Sequence, residues 1–138
     1  MLQDLDKTLQ QKGIRPTAMR LLVLDYLLQQ TAAVSLNNLE TFFLRSDRVT
    51  LYRTLKTFEE KGLVHRIEDG SGSVKYALCP EDCSTQEHHD LHVHFYCTQC
   101  RETFCLPKSH IPEISLPDRF QTQEISLIVK GVCATCRH

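Results

Sequence analysis

Long apolar runs are missing from this chain of 138 residues, which excludes a transmembrane helix. The longest apolar stretch, residues 21–28, is interrupted by Asp25 and is much shorter than the roughly 20 residues that a membrane span needs. The first residues also lack the basic and apolar regions of a secretory signal, so we expect none. Internal repeats and low-complexity segments are absent as well. These absences favour a globular protein of the reducing cytoplasm.

A strong net charge is lacking too, because 16 Lys and Arg residues balance 17 Asp and Glu residues. The balance argues against a protein that coats nucleic acid without specificity. The distribution is nevertheless uneven. Residues 1–78 hold 11 basic and 9 acidic residues, whereas residues 79–138 hold 5 and 8, together with all seven cysteines and six of the seven histidines. We therefore predict one domain over residues 1–78, a polar linker over 79–90 and a metal-binding domain over 91–138.

Motifs of common zinc enzymes are also absent from the sequence. No His-Glu-x-x-His sequence occurs. The zinc deaminase pattern fails because Tyr96 rather than Pro precedes Cys97, and because the nearby histidines His88, His92 and His94 lack the partnering Glu. The sequence thus indicates a protein that is not an enzyme and that has no small organic substrate.

The clearest positive signal is the presence of two Cys-x-x-Cys pairs in the second part of the chain. Two intervening residues allow both sulfurs of a pair to reach one metal from a tight turn, and four thiolates complete a tetrahedral Zn²⁺ site. The alternatives are two disulfides, which a reducing compartment disfavours, or a redox dithiol. The pattern predicts one structural zinc ion per chain, bound by Cys97, Cys100, Cys133 and Cys136.

Helical periodicity and capping residues organise the first part of the chain. They predict four helices: one through Leu9, one from Thr17 to about Gln30, one from Ser35 through Phe43, and one from Asp47 to Glu60. In the second helix, Leu21, Leu24 and Leu28 should lie on one face. Two alternating strands, residues 63–67 and 74–78, follow around a Gly- and Ser-rich loop. Packed helices followed by a two-stranded hairpin outline a winged helix-turn-helix, in which the helix before the wing reads DNA.

The fourth predicted helix has two chemically distinct faces. Its apolar residues fall in a narrow sector that would face the core: Leu51, Leu55 and Phe58. Tyr52, Arg53 and Lys56 project from roughly the opposite side, where they could contact thymine methyls, guanine acceptors and phosphates. For charges alone a solvated face would be the default, but the order of helices and wing favours DNA binding. Arg15, just ahead of the second helix, could contact a phosphate or enter the minor groove.

A His-x-His pair precedes the first Cys-x-x-Cys motif. His92 and His94 lie in a strand-like run, where alternate residues share a face, so both imidazoles would point the same way while Val93 and Phe95 pack inward. Paired imidazoles suit Zn²⁺, Fe²⁺, Mn²⁺ or Ni²⁺. An exposed His-x-His pair often binds nothing, but this pair adjoins the zinc motif. We therefore predict that it ligates a metal.

Several motifs, taken in order along nearly the whole chain, resemble the ferric uptake regulator family of bacterial metalloregulators. They are RPTAMR at 15–20, VTLYRTL at 49–55, EEKGLV at 59–64, HVHFYCTQC at 92–100 and GVCATC at 131–136. The resemblance implies an α+β protein, with an N-terminal winged helix-turn-helix and a small α/β dimerisation domain that carries the structural zinc. It also implies a homodimeric repressor of metal-uptake genes that binds a palindromic, AT-rich operator in double-stranded DNA. The DNA contacts that it implies are Arg15, Thr17, Arg20, Thr50, Tyr52, Arg53 and Lys56.

The resemblance also bears on the metal that is sensed. Iron- or peroxide-sensing members carry a ligating His before the third helix, where this chain has the segment AAVS at 32–35. Zinc-sensing members carry ligands that are matched here by His65 and Cys79. The resemblance therefore implies a regulatory site of His65, Cys79, His92 and His94, in which the thiolate favours zinc. Fe²⁺ or Mn²⁺ is the alternative metal, in an iron or peroxide-stress regulator.

Further residues are candidate ligands by the same resemblance. Cys105 falls where iron-type members place a carboxylate, so it could be an additional or substitute thiolate. Glu124 lies where members often carry a His, and could replace it. A second site or a metal-collecting loop is conceivable at Cys83, His88, His89 and Asp90. A thiol redox sensor and a zinc module for protein contacts are the lesser alternatives for the function.

The expected mechanism follows from where these ligands fall. Without the regulatory metal, the linker near Cys79 would leave the two DNA-binding domains of a dimer free to splay. A metal that binds the wing, the linker and the C-terminal domain would stabilise only the geometry that fits the operator, and so raise DNA affinity by a population shift.

Overall fold

The computed structural model describes residues 2–78, 93–106, 114–123, 125 and 127–137. These residues form four helices: α1 (Leu2–Gln11), α2 (Ala18–Leu28), α3 (Leu36–Phe42) and α4 (Arg48–Glu60). They also form six strands: β1 (Val34–Ser35), β2 (Val64–Glu68), β3 (Val74–Leu78), β4 (Val93–Cys97), β5 (Thr103–Leu106) and β6 (Leu127–Gly131). None of the helices in this described part is long and apolar enough to span a bilayer.

The helices begin at the predicted capping residues. The Thr17 hydroxyl accepts a hydrogen bond from the Arg20 amide at the start of α2. Ser35 and Asn38 form a reciprocal capping box at the start of α3, in which each side chain accepts a hydrogen bond from the other residue's amide. Asp47 occupies the N-cap of α4, although its side chain makes no capping hydrogen bond to the described residues. These local interactions explain why the predicted helix starts are close to the observed ones.

The core of the first domain lies between the helices and one face of the first sheet. Its fully buried residues include Leu9, Val23, Leu24, Leu39, Leu51, Leu55, Phe58 and Val64. The apolar face predicted for α2 is only partly buried, since Leu28 is 55% exposed whereas Val23 and Leu27 are buried beside Leu24. The reason is that α2 packs against α1, α4 and β3 together. Its buried stripe is therefore shifted toward Val23 and Leu27.

The sheet of the winged domain has three strands rather than the predicted two. β1 pairs antiparallel with β3, with Val34 opposite Tyr76 and Ser35 opposite Lys75, so that the strand order is β1-β3-β2. A strand of two residues shows no alternation that a sequence pattern could reveal. The hairpin of β2 and β3 is otherwise as expected, although β2 begins at Val64, one residue later than predicted.

The second sheet has the order β5-β4-β6. β4 pairs antiparallel with β5 and parallel with β6. Because parallel strands end at the same edge of a sheet, Cys97 at the end of β4 lies opposite Gly131 at the end of β6. This pairing brings the turn after β4 and the turn after β6 side by side.

The two sheets face each other across the boundary between the domains. In antiparallel pairs, residues directly opposite one another point to the same side. The face of the first sheet that points away from the helices therefore carries His65, Ile67, Lys75 and Ala77. The face of the second sheet that it meets carries His94, Tyr96, Thr103 and Cys105. Contacts between these two faces position both the candidate metal ligands and a buried polar cluster.

Candidate metal centres and nucleic-acid interface

The first candidate metal centre is formed by the two Cys-x-x-Cys turns. The sulfurs of Cys97, Cys100, Cys133 and Cys136 all lie within 4.8 Å of one another. Cys97 and Cys133 are buried, and the backbone amides of Cys100 and Cys133 each donate a hydrogen bond to the Cys97 sulfur, at 3.4 Å. Four converging sulfurs, of which that of Cys97 receives two backbone hydrogen bonds, fit a tetrahedral Zn²⁺ site. The structure thus brings together all four of the predicted structural ligands.

The thiols of this cluster differ in acidity. The amide hydrogen bonds from Cys100 and Cys133 lower the pKa of Cys97 to about 6. A hydrogen bond with the Cys133 sulfur, together with burial, raises the pKa of Cys136 to about 12. Cys97 is therefore more acidic than Cys136, and Cys136 must lose its proton when a metal binds.

The second candidate metal centre lies between the facing sheets. One donor atom from each of His65, His94 and Cys105 lies within 4.8 Å of the others. The Nε2 atoms of His65 and His94 are 3.2 Å apart, and both side chains are buried, with 2% and 0% of their surface exposed. His65 belongs to β2 of the winged domain, whereas His94 and Cys105 are opposite one another on β4 and β5. Two imidazoles and a thiol that converge from two domains can bind one divalent metal between them.

Several predicted ligands lie outside the described residues. Among the four residues predicted for the regulatory site, the structure brings His65 and His94 together, whereas Cys79 and His92 are not described. Cys105, predicted as an additional or substitute ligand, lies in the same cluster. The remaining candidates, which the structure does not describe, are Cys83, His88, His89, Asp90 and Glu124. The linker predicted over residues 79–90 is also outside the described part of the chain.

The predicted DNA-reading face of α4 is exposed. Leu51, Leu55 and Phe58 are fully buried on the core side of the helix. The opposite side is open to solvent at Thr50, Tyr52, Arg53 and Lys56. Tyr52 keeps 43% of its surface exposed, although it is a large aromatic residue. A helix that presents an aromatic ring, a guanidinium group and an ammonium group on one exposed face can contact bases and phosphates in a major groove.

The residues around the start of α2 have structural as well as candidate DNA-binding roles. Arg15 is exposed, and its backbone carbonyl accepts a hydrogen bond of 2.9 Å from the Arg20 guanidinium. The Thr17 hydroxyl caps α2 by accepting from the Arg20 amide. Arg20 therefore holds the segment before α2 in place, which leaves the Arg15 side chain as the freer of the two guanidinium groups for a phosphate contact.

A buried polar cluster beside the second metal centre was missed by the sequence analysis. Lys75 on β3, Asp69 in the wing turn and Thr103 on β5 contact one another between the facing sheets. Lys75 lies between the apolar residues Val74 and Tyr76 in the sequence. Such alternation of polar and apolar residues is usual for a strand with one solvated face. No local signal distinguishes that pattern from a lysine that faces a second sheet.

Comparisons with known proteins agree with this architecture. A model of the ferric uptake regulator family matches residues 11–129. The chain is 25% identical to the peroxide operon regulator of Bacillus subtilis (strain 168), over 98% of this chain and 92% of that protein. It is 28% identical to the ferric uptake regulation protein of Neisseria gonorrhoeae, over 94% of this chain and 90% of that protein.

The fold is shared with solved structures as well. A structure of a zinc uptake regulator complexed with zinc and DNA matches 98% of this chain and 91% of that chain, with a TM-score of 0.67 and 22% identity. The predicted α+β fold, in which a winged helix precedes a smaller sheet domain with a four-cysteine cluster, is thereby confirmed. From the match of the family model over most of its length, the chain belongs to the ferric uptake regulator family.

Proposed function

We propose that this protein is a zinc-sensing transcriptional repressor of metal-uptake genes, which acts in the cytoplasm as a homodimer on a palindromic DNA operator. The observation that carries the proposal is the convergence of His65, His94 and Cys105 within 4.8 Å across the domain boundary. A divalent metal bound there would tie the winged domain to the second sheet. Its occupancy would therefore control the placement of α4.

The donor set of this regulatory centre favours zinc. Imidazole nitrogens and a thiolate are ligands of intermediate to soft character, whereas Mn²⁺ prefers carboxylate and water oxygens. Either Cys79 or His92 would complete a four-coordinate shell in the zinc-loaded protein. The four-cysteine cluster would hold a separate structural Zn²⁺ that fixes the ends of β4 and β6.

The DNA-binding step is assigned to α4 and to the segment before α2. Thr50, Tyr52 and Arg53 would contact base edges, and Lys56 and Arg15 would contact phosphates. Leu51, Leu55 and Phe58 anchor the helix in the core, so its exposed face is presented on a rigid support. In a dimer the two α4 helices must be separated by one turn of DNA or a multiple of it, and the interdomain metal would stabilise that separation.

An iron- or peroxide-responsive regulator is the second candidate, and the likeness to the peroxide operon regulator of Bacillus subtilis favours it. The loop before α3 argues against this second candidate, because the side chains of Ala32 and Ala33 cannot ligate a metal. Ala33 is instead buried, and its amide donates a hydrogen bond of 2.7 Å to the Thr103 carbonyl. That loop therefore forms part of the contact between the domains.

The proposal is tested with protein in which the four-cysteine site stays loaded while the second site is emptied by a mild chelator. Operator fragments selected from genomic DNA are titrated in buffered free Zn²⁺, Fe²⁺ or Mn²⁺, and DNA affinity is read by fluorescence anisotropy. We expect Zn²⁺ to raise the affinity by about 5- to 150-fold, the usual range of allosteric coupling. His65→Ala should abolish the response while the metal-free DNA affinity is kept. A response to Fe²⁺ or Mn²⁺ but not to Zn²⁺ would select the second candidate.

A further inference from the structure

A buried ion pair crosses the same sheet-to-sheet interface that holds the regulatory centre. The Lys75 ammonium donates hydrogen bonds to the Thr103 hydroxyl at 3.0 Å and to the Arg101 carbonyl at 2.8 Å. It also lies 3.0 Å from the Asp69 carboxylate, to which the Thr103 hydroxyl donates a hydrogen bond. All three residues are buried: the exposed fractions of Asp69, Lys75 and Thr103 are 1%, 8% and 0%. We call these three residues the interdomain latch, because Asp69 and Lys75 belong to the winged domain and Thr103 to the second sheet.

The latch lies two residues along the strands from the regulatory centre, on the same faces of the two sheets. Thr103 and Cys105 are alternate residues of β5 and share a face. On the first sheet, Lys75 pairs with Ile67, whereas His65 pairs with Ala77, the next residue on the same face of β3. The two groups of contacts are thus roughly 7 Å apart, the length of two residues in a strand. A sliding movement of one sheet over the other would disturb both.

Further contacts around the latch join the winged domain to the second sheet. The Ala33 amide donates to the Thr103 carbonyl at 2.7 Å, which joins the start of β1 to β5. The Lys75 ammonium lies 5.0 Å from the centre of the Tyr96 ring on β4. Gly70 has φ +84°, and a Cβ at that position would come within 2.8 Å of the Lys130 ammonium on β6. The wing turn is therefore seated closely against the second sheet.

The charges of the latch are maintained despite burial. Burial acts to raise the pKa of Asp69, but hydrogen bonds from Ser71 and Thr103 and the contact with Lys75 hold that pKa at about 2. A buried ion pair commonly adds little stability compared with apolar side chains of the same size. Its directional hydrogen bonds can instead select one arrangement of the surfaces that it joins. Apolar side chains in its place would permit several arrangements of the facing sheets.

We propose that Asp69, Lys75 and Thr103 are positioning residues for the regulatory metal. They hold the facing sheets at the spacing at which His65, His94 and Cys105 converge before any metal binds. This inference rests on the proposed function, which assigns the regulatory metal to His65, His94 and Cys105. If only a fraction of the molecules hold the three ligands close enough to bind the metal, the apparent dissociation constant equals the intrinsic one divided by that fraction. The latch would therefore set the free Zn²⁺ concentration at which the protein responds.

The test uses a double variant that removes both latch charges, Asp69→Asn combined with Lys75→Met. The control variant is Arg66→Met. The control breaks an ion pair of similar length, 2.9 Å between Arg66 and Glu68, but that pair is exposed and lies on the same strand as His65. Thr103→Val is a milder latch variant in case the double variant does not fold. Zn²⁺ binding to the regulatory site is measured by competition with a chelating dye, with the four-cysteine site kept loaded.

We expect the latch variants to weaken Zn²⁺ binding at the regulatory site by about 5- to 150-fold, and Arg66→Met to leave it unchanged. At saturating Zn²⁺ the operator affinity of all variants should equal that of the unmodified protein, because the ligands and α4 are intact. A general loss of stability would lower the maximal affinity as well. Unchanged Zn²⁺ affinity in both latch variants would overturn the proposal.

A second measurement does not depend on metal binding. In protein lacking the regulatory metal, hydrogen exchange of the Ala33 amide reports the contact with β5. It should accelerate in the latch variants, whereas the amide of Leu55 in the core should not change. If the unmodified protein binds no second metal but this acceleration occurs, the regulatory assignment fails while the holding role stands. If Ala33 exchanges equally fast in all variants, the latch does not hold the domains together.

Discussion

The Nε2 atoms of His65 and His94 lie 3.2 Å apart, although the two residues belong to different sheets and different domains. Two buried imidazoles at this separation share at most one proton through a hydrogen bond, and a divalent metal can replace that proton. If a metal binds in the proposed site, its occupancy and the contact between the domains would therefore depend on each other. Cys105 lies opposite His94 on the neighbouring strand, and in the proposed site it would supply the sulfur that adds selectivity.

Replacement of the Cys105 thiol should weaken zinc binding at the regulatory centre. Outer-shell changes alone cost about 10- to 100-fold in metal affinity, so the loss of a direct ligand in Cys105→Ser should cost at least about 100-fold. The measurement is a competition titration with Zn²⁺. The four-cysteine site provides the internal control, since its zinc content should remain at one ion per chain. Equal Zn²⁺ affinity in Cys105→Ser and the unmodified protein would remove Cys105 from the ligand set.

Loss of the Arg53 guanidinium should weaken DNA binding without affecting metal binding. The side chain is exposed on α4, so Arg53→Ala should leave the fold intact and cost about 1–3 kcal/mol of operator affinity. Fluorescence anisotropy at fixed free Zn²⁺ measures this change. Glu60→Gln, at the end of the same helix, is the matched control and should have little effect. An operator affinity that is equally unaffected by both substitutions would place the DNA-reading face elsewhere.

Removal of the structural metal should destabilise the second domain. A strong chelator that strips the four-cysteine site leaves Cys97 and Cys133 buried without the ion that joins β4 to β6. Structural zinc contributes several kcal/mol to folding, so the melting temperature should fall by roughly 10 °C or more. Differential scanning calorimetry measures the fall. Cys105→Ser should show the same fall, because its structural site is intact; a melting temperature that does not change on stripping would argue against a structural role.

The buried carboxylate of Asp69 should make stability depend on pH under acidic conditions. Its folded-state pKa is about 2, below the ordinary value of 3.8, so its ionised form stabilises the folded state above about pH 4. That stabilisation is lost as the pH falls toward 2. In metal-free protein, the difference in free energy of unfolding between the unmodified chain and Asp69→Asn should therefore shrink between pH 4 and pH 2. A difference that stays constant over this interval would show that folding does not lower the pKa of Asp69.

Two leucines of α2 provide a test of the packing. Leu24 is fully buried, whereas Leu28 is 55% exposed. Leu24→Ala should cost about 2–5 kcal/mol of unfolding free energy, because it removes core contacts and leaves a cavity. Leu28→Ala should cost no more than about 0.5 kcal/mol. Urea denaturation measures both, and similar losses for the two variants would contradict the observed orientation of the helix.

Local chemistry explains which parts of the fold were predictable. Thr17 and Ser35 satisfy helix amides with their own side chains, so the sequence indicates where α2 and α3 begin. The four-cysteine spacing likewise identifies a metal site without knowledge of the fold. The opposite faces of α4 follow from helical periodicity, and the structure confirms that Leu55 is buried and Arg53 exposed. In each case the relevant partners are a few residues apart or carry a distinctive chemistry.

Tertiary contacts explain what was missed. β1 exists because Val34 and Ser35 happen to lie beside β3, and two residues carry no pattern of their own. Lys75 is buried because β5 supplies Thr103 and a backbone carbonyl from a distant part of the chain. The orientation of α2 depends on three neighbours at once, which a single helical pattern does not represent. These features depend on the packing of one domain against another.

The parallel pairing of β4 with β6 has a consequence for the newly made chain. β5 occupies the other edge of β4, so β6 cannot join as the second arm of a hairpin and must return from a long connection. We therefore expect Cys97 and Cys133 to meet only after the segment that connects β5 to β6 has been synthesised. Capture of the ion by all four sulfurs would mark maturation of the protein. Under severe zinc starvation we expect immature chains in which β6 is undocked, and proteases should degrade these chains first.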